Sequence, residues 1–207
     1  TDSRSPANRQ SYSILDAKGR TIESGVTGID PVRMSYDTRG RLASVAQGAG
    51  ANERTTTFSY NAAGYLASAT DALGQSGSLT YDPAGRVLAQ TLANGQVIDF
   101  AYDANGNLTS FTPPGQPAHG FTYNAVNLAT AYTPPAVAGS GANSTDYAYN
   151  ADKQVTQITR PDGGVLDYGY DSAGRLSTLS IPAGQYGYAY NAAGKLSNIT
   201  APGGVAL

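Results

Sequence analysis

One phrase recurs along this 207-residue chain and limits what it can fold into: an aromatic, Asp or Asn, two loose positions, Gly, a variable residue and an aliphatic. Intact copies are Tyr36-Asp37…Gly40-Arg41-Leu42, Tyr60-Asn61…Gly64-Tyr65-Leu66, Tyr81-Asp82…Gly85-Arg86-Val87 and Tyr102-Asp103…Gly106-Asn107-Leu108. Two more are Tyr170-Asp171…Gly174-Arg175-Leu176 and Tyr190-Asn191…Gly194-Lys195-Leu196. Altered copies begin at Tyr123-Asn124, which reads as one residue short with Asn127 in place of Gly, and at Tyr149-Asn150, with Lys153 in place of Gly. A further, upstream copy starts at Leu15-Asp16, with Leu for Tyr. The tyrosines fall 24, 21, 21, 21, 26, 21 and 20 residues apart. A unit this short cannot bury its own apolar face and must stack on its neighbours. The pattern therefore predicts a scaffold, not an enzyme.

Two residues before the motif tyrosines stand Met34, Phe58, Leu79, Phe100, Phe121, Tyr147, Tyr168 and Tyr188. A spacing of two puts both side chains on one face of a strand. Asp82-Pro83-Ala84-Gly85 then reads as a turn, with an acceptor at its start and positive φ at glycine. A second turn signal follows 13 or 14 residues after the tyrosine, at Leu73-Gly74, Asn94-Gly95, Pro114-Gly115, Asp162-Gly163, Ala183-Gly184 and Pro202-Gly203. Asn-Gly and Asp-Gly are strong short-hairpin signals. Each repeat is thus two strands of about six to eight residues and two turns. About nine repeats from 15 to 203 give 17 or 18 consecutive antiparallel strands, all-β and essentially without helix. A sheet wider than about ten strands is expected to curl or spiral. Residues 1–207 read as a single array, with an irregular, loop-rich stretch at 111–145. Within it Thr133–Ser144 reads as an extended, mobile surface loop, and Gln47–Arg54 as a smaller insertion.

Composition supports the scaffold. Leu, Ile, Val and Phe number 35 of 207 residues, under the roughly 20% below which chains are often disordered. The formal net charge is only −2, so charge repulsion does not argue for disorder. Tyr (15) and Gly (25) fill the gap, which suits β-ribbons with tight turns. There is no cysteine, hence no disulfide framework, thiolate metal site or cysteine nucleophile. The first residues show no signal peptide, no run is long enough to span a bilayer, and scattered Arg and Lys form no basic stripe for nucleic acid.

The phrase Tyr-Asp/Asn-x-x-Gly-Arg-Leu at a period near 21 resembles the YD repeats of the Rhs family, found in bacterial polymorphic toxins, in the B and C components of Tc insecticidal toxins and in animal teneurins. The resemblance runs from about Leu15 to Gly203. It implies a long β-ribbon wound into a hollow shell, which in the bacterial members encloses a toxin polypeptide. Flanking YD repeats and a cargo or toxin domain of the same parent protein are then the implied partners, and a secreted or cell-surface location follows. The family's self-cleavage segment and variable toxin domain are missing here, and the array is too short to close a container. The resemblance therefore implies a fragment or partial shell, with open sheet edges able to self-associate.

No residue cluster announces chemistry. His119 is the only histidine, with no nucleophile elbow beside it, so it reads as an exposed loop residue. One His without Cys does not make a zinc site, and no cofactor is expected. The second motif position is Asp at 16, 37, 82, 103 and 171 and Asn at 61, 124, 150 and 191. This exchange argues for a turn acceptor without need of charge, against a calcium ladder. The motif tyrosines read as packing residues, whereas Tyr65, Tyr132 and Tyr186 stand outside the ladder as candidates to face a carbohydrate or other ligand. Two functions stay open: a shell segment that holds cargo, and a surface module that recognises glycan or protein through its tyrosine-rich face.

Overall fold

The computed structural model describes residues 2–4, 10–136 and 144–204. These form an all-β fold of nine consecutive hairpins preceded by one short strand, β1 (Asp2–Arg4). The first hairpins are β2 (Gln10–Leu15) with β3 (Thr21–Val26), β4 (Val32–Tyr36) with β5 (Leu42–Gln47), and β6 (Arg54–Tyr60) with β7 (Leu66–Thr70). Next come β8 (Ser76–Tyr81) with β9 (Val87–Thr91), β10 (Val97–Tyr102) with β11 (Leu108–Thr112), and β12 (His119–Tyr123) with β13 (Ala129–Thr133). The last are β14 (Thr145–Tyr149) with β15 (Val155–Thr159), β16 (Val165–Tyr170) with β17 (Leu176–Ile181), and β18 (Gly184–Tyr190) with β19 (Leu196–Thr200). The eighteen paired strands match the periodicity, and β1 is the addition. Helix is confined, among the described residues, to one 3-10 turn at Gly50–Asn52. The chain divides into two compact units, residues 1–99 and 100–207.

Every register joins a strand to its chain neighbour in antiparallel fashion, in the first unit as in the second. Phe58 lies opposite Ala69, Ser59 opposite Ser68 and Tyr60 opposite Leu66. The jump between the last two pairs leaves Ala67 of β7 as one extra residue, a β-bulge across from the step into the motif tyrosine. The same slip recurs at Tyr36, Tyr81, Tyr123, Tyr149, Tyr170 and Tyr190. On the regular incoming strand the large −2 residue and the tyrosine share one face. The residues between them, Ser35, Ser59, Thr80 and Ala101, point to the exposed face. Along β10 the alternation is strict: Ile98, Phe100 and Tyr102 are half-buried, while Val97, Asp99 and Ala101 are exposed.

Strands run five to seven residues apart from β1, shorter than the spacing suggested, because the turns take more of each repeat. In the turn after Tyr81 the Asp82 N–H donates to Arg86 O at 2.9 Å and the Gly85 N–H to Asp82 O at 3.0 Å. The second turn is built alike: Leu92 N–H donates to Gln96 O at 2.7 Å and Gly95 N–H to Leu92 O at 2.9 Å. Asn94-Gly95 therefore closes a four-residue turn, not the two-residue hairpin its dipeptide suggests. A two-residue connection does occur at Pro182-Ala183, where Ile181 lies opposite Gly184.

The altered copies also correct the sequence expectation. The turn after Tyr123 has lost nothing: Asn124 N–H donates to Leu128 O at 2.9 Å, Asn127 N–H to Asn124 O at 3.0 Å, and Tyr123 pairs with Ala129 as Tyr81 pairs with Val87. Leu128 simply stands where other repeats carry Arg. Asn127 takes φ 62° and Lys153 φ 65° in glycine's place, so the Lys153 turn keeps its type and accepts the strain. The Gln47–Arg54 insertion is pinned by Arg33, whose Nη1 donates to Gly48 O at 3.1 Å and to Glu53 Oε2 at 3.2 Å. Of the expected mobile loop, residues 137–143 lie outside the described residues.

Among the described residues no hydrophobic side chain is fully buried. The apolar face is a half-covered layer, not a closed core. Because left-handed backbone costs a bulky residue about 1–2 kcal/mol, Lys153→Gly should raise stability by about 0.5–1 kcal/mol after the entropy cost of glycine. Asn127→Gly should change it by less than half as much, since Asn tolerates this region. Urea denaturation of the two variants checks both.

Candidate functional site

What the sequence builds repeatedly is a seat between successive hairpins. Tyr36 donates its hydroxyl to Thr21 O at 2.8 Å, Tyr60 to Leu42 O at 2.8 Å and Tyr81 to Leu66 O at 2.8 Å. In the second unit Tyr123 donates to Leu108 O at 2.9 Å, Tyr149 to Ala129 O at 2.7 Å, Tyr170 to Val155 O at 2.8 Å and Tyr190 to Leu176 O at 2.9 Å. Each acceptor is the carbonyl of the aliphatic position in the preceding motif, the first residue of that hairpin's outgoing strand. The ring therefore leans back across the sheet onto the previous repeat. All of these tyrosines are half-buried, as is Tyr102 at the end of β10.

The previous repeat answers with the residue after its glycine. The Arg20 guanidinium lies 4.3 Å from the Tyr36 ring centre, Arg41 4.2 Å from that of Tyr60, and Arg175 4.4 Å from that of Tyr190. Each arginine is fixed from behind by its own turn. Arg41 Nε donates to Asp37 Oδ2 at 2.8 Å, while Oδ1 of the same carboxylate accepts the backbone N–H groups of Arg39 and Arg41, both at 2.9 Å. The Asp16–Arg20, Asp82–Arg86 and Asp171–Arg175 turns repeat this arrangement. Nη1 of Arg20 and of Arg41 is buried without a hydrogen-bond acceptor, while each guanidinium lies against the negative face of the ring.

The charge at the second motif position thus has a use that acceptor counting missed. Where an Asp opens the turn, Arg follows at 20, 41, 86 and 175, with Asn107 after Asp103 as the exception; where Asn opens it, the partner is Tyr65, Leu128, Gln154 or Lys195. Asn keeps the backbone cap: Asn191 Oδ1 accepts from Ala193 N and Lys195 N at 3.0 Å. Only the carboxylate also holds a guanidinium. This coupling was visible within the chain and is the signal that would have identified the arginines.

In the Asn61 repeat Tyr65 replaces arginine. Its ring, 41% exposed, packs tilted against Tyr81 at 5.0 Å and 32°, and its hydroxyl lies where a side chain on Gly85 would stand. At several motif turns the glycine accordingly has a second duty, leaving room for the preceding repeat's side chain: a Cβ on Gly40 would lie 3.2 Å from Arg20 Nη1, and one on Gly64 3.6 Å from Arg41 Nη1. In the Asn150 repeat Gln154 Nε2 donates to Gly174 O at 2.6 Å.

Tyr132 and Tyr186 sit within strands. Tyr132 pairs with Phe121, rings 5.4 Å apart, and its hydroxyl is 2.8 Å from His119 Nδ1. Tyr186 lies half-buried opposite Leu179. His119 corrects its expectation: it opens β12 half-buried, near-parallel to Tyr132 at 5.9 Å and 5.8 Å from the Phe111 ring. The motif carboxylates turn inward to their own turns, and no group of three or more His, Asp or Glu able to hold a metal ion occurs among the described residues.

A family model described as the teneurin YD-shell matches residues 8–202. The chain belongs to that family. Solved structures of the same fold include the crystal structure of TcdB2-TccC3 without its hypervariable C-terminal region, at TM-score 0.53 and 18% identity over 92% of this chain and 13% of that one. The Photorhabdus luminescens Tc holotoxin pore carrying TccC3-D651A matches at TM-score 0.51 and 18% identity over 92% of this chain and 12% of that one. TcdB2-TccC3-Cdc42 matches at TM-score 0.50 and 17% identity over 96% of this chain and 13% of that one. The YD-shell segment thus spans about an eighth of the chains it resembles. A comparison with curated proteins gave no match.

The seat predicts unequal glycines. Gly85 and Gly95 have φ 83° and 80°, but only at Gly85 would a Cβ meet a neighbouring ring. Gly95→Ala should cost about 1 kcal/mol and Gly85→Ala about 1–2 kcal/mol more, read by chemical denaturation. Acid should also be felt. The Arg41 backbone N–H, then its side chain, holds the Asp37 carboxyl below its ordinary value, and the Arg86 backbone N–H does the same for Asp82. A depressed carboxyl contributes stability above the unfolded pKa of about 3.9 and loses it as pH falls toward the folded value. Denaturation midpoints should therefore hold between about pH 7 and 5 and drop below about 4. The double variant Asp37→Asn, Asp82→Asn should show a shallower drop.

Proposed function

We propose that this YD-shell segment is a non-catalytic structural element, its repeats acting as one array in the wall of a secreted or cell-surface assembly that shields a cargo polypeptide. The observation that supports this most directly is the disposition of the tyrosines. Their hydroxyls are committed to neighbouring backbone carbonyls, so the residues that dominate the sequence join repeat to repeat. Reactive side chains follow the same logic, with carboxylates and guanidinia neutralising one another inside turns. A layer whose apolar face is only half-covered suits a wall that meets an enclosed chain on one side. Family membership and a fold shared with TcdB2-TccC3 assemblies support the same reading.

The test is protection of cargo in the polypeptide that carries these repeats. With an intact array a passenger segment should resist limited proteolysis; with Tyr60→Ala and Tyr170→Ala together it should be cleaved at least tenfold faster. Equal cleavage in both, or saturable binding of the intact segment to particular glycans through Tyr65, Tyr132 or Tyr186, would replace shielding with surface recognition.

A further inference from the structure

Glycine follows asparagine twice in this chain, at Asn94-Gly95 and Asn105-Gly106. With no Cβ beside it, a glycine nitrogen is the least hindered backbone nucleophile that can meet a side-chain amide. Both asparagines are exposed and hold the third place of a turn, before a glycine at φ 80° or 91°. In each turn the glycine N–H donates to the carbonyl of the first residue, Gly95 to Leu92 O at 2.9 Å and Gly106 to Asp103 O at 3.1 Å. That restraint is shared, so it cancels between the two. The side chains differ. Asn105 Nδ2 donates to Asn127 Oδ1 at 3.1 Å, an acceptor that also takes Asn107 Nδ2 at 2.8 Å. Asp103 Oδ1 caps the same turn, accepting the Asn105 and Asn107 N–H groups, both at 2.9 Å. The Asn94 turn opens instead on Leu92, whose side chain has no acceptor. Asn94 itself supplies the cap: its Oδ1 accepts the Gln96 N–H at 3.0 Å, and its Nδ2 donates to the exposed Gln96 side chain at 2.7 Å.

We propose that Asn94 is a site of spontaneous deamidation, and that the next repeat protects Asn105 from the same reaction. The Gln96 N–H on Oδ1 draws charge from the Asn94 amide carbonyl and stabilises the oxygen as negative charge develops there. The Gly95 nitrogen gives up its proton and bonds to Asn94 Cγ; the Cγ–Nδ2 bond breaks, and the nitrogen takes up a proton and leaves as ammonia. Water then opens the resulting cyclic imide at either carbonyl, leaving aspartate or isoaspartate at position 94 with no change of oxidation state. The array already displays the geometry of the first product. Asp162 holds the equivalent place in the β15–β16 turn, where Gly163 N–H donates to Arg160 O at 2.9 Å and Asp162 Oδ1 accepts the Gly164 N–H at 2.8 Å. Aspartate therefore keeps the cap. Isoaspartate routes the backbone through the former side chain, adding a methylene between Leu92 and Gln96 and loosening the adjacent pairs Thr91 with Val97 and Gln90 with Ile98. The site is a slow chemical clock on one hairpin. It rests on turn chemistry and not on cargo shielding, so either can fail alone.

The experiment ages the whole folded chain in mildly basic buffer and follows both asparagines by mass spectrometry, with electron-transfer fragmentation separating isoaspartate from aspartate. Asn94 should convert roughly threefold to tenfold faster than Asn105, the equivalent of one net hydrogen bond. In urea the two rates should converge, because both are then plain Asn-Gly sequences. Asn127→Gly removes the acceptor while keeping the left-handed backbone, and should raise the Asn105 rate without altering that of Asn94. Asn94→Asp should keep the urea midpoint of the unaltered chain, whereas aged chain enriched in isoaspartate should unfold at lower urea. Equal or inverted rates in the folded chain, a ratio that persists in urea, or an Asn105 rate indifferent to Asn127→Gly would each overturn the proposal.

Discussion

A tyrosine hydroxyl that reaches back to the preceding repeat's carbonyl is the interaction on which this structure depends. A lone β-hairpin is marginal in water, and among the described residues no hairpin has a closed core to rescue it. Each junction therefore supplies what the hairpin lacks: a hydrogen bond of about 1 kcal/mol, a cation–π contact of about 0.5–1 kcal/mol where arginine is present, and shared strand pairing. Energy distributed in this way depends on neighbours, as in other repeat arrays. Losing one seat weakens two hairpins, because the ring belongs to one and the carbonyl to the other.

The β-bulge makes the seat geometrically feasible. In a regular strand Met34 and Tyr36 would share a face but lie in simple register with their partners. The slip before Tyr36 places it opposite Leu42 instead, at the mouth of the turn, where the ring can lean across to Thr21. Asp37 then works on both sides of that turn. One oxygen caps backbone N–H groups, and the other holds Arg41 against Tyr60 of the following repeat. Cap, bulge and seat are one device read in three places, which is why the whole phrase recurs and not tyrosine alone.

The strand pairs and faces were legible because they follow from local spacing: a partner two residues before the tyrosine allows only one face, and an acceptor three residues before glycine allows only a tight turn. The arginines were less legible. Their partner lies 15 to 19 residues downstream on another hairpin, and a period marks positions without saying what touches across it. His119 misled for a related reason. Its Pro-rich surroundings read as loop, yet Phe111 lies opposite it in the neighbouring strand, and cross-strand packing overrode local composition. Asn94-Gly95 misled through a preference for two-residue turns that a five-residue connection does not use.

Arginine, tyrosine, glutamine and asparagine at the position after the turn glycine reach the following hairpin by different contacts: Arg41 lies over Tyr60, Tyr65 against Tyr81, Gln154 donates to Gly174 O and Asn107 to Asn127 Oδ1. Tyr65 shows the limit of that variation. It fills the space under Gly85 more completely than Arg41 fills that under Gly64, so the following turn has less freedom to change. Variation along the array is therefore constrained from the next repeat, not from within the same one. A sequence that evolves by exchanging whole repeats keeps each cap with its own turn but breaks the match between seat and ring; exchange after the glycine keeps the match and breaks the cap. Because Asp pairs with Arg inside one turn and that Arg with a tyrosine on the next hairpin, the smallest piece that carries a complete seat runs from the Asp of one motif to the tyrosine of the next.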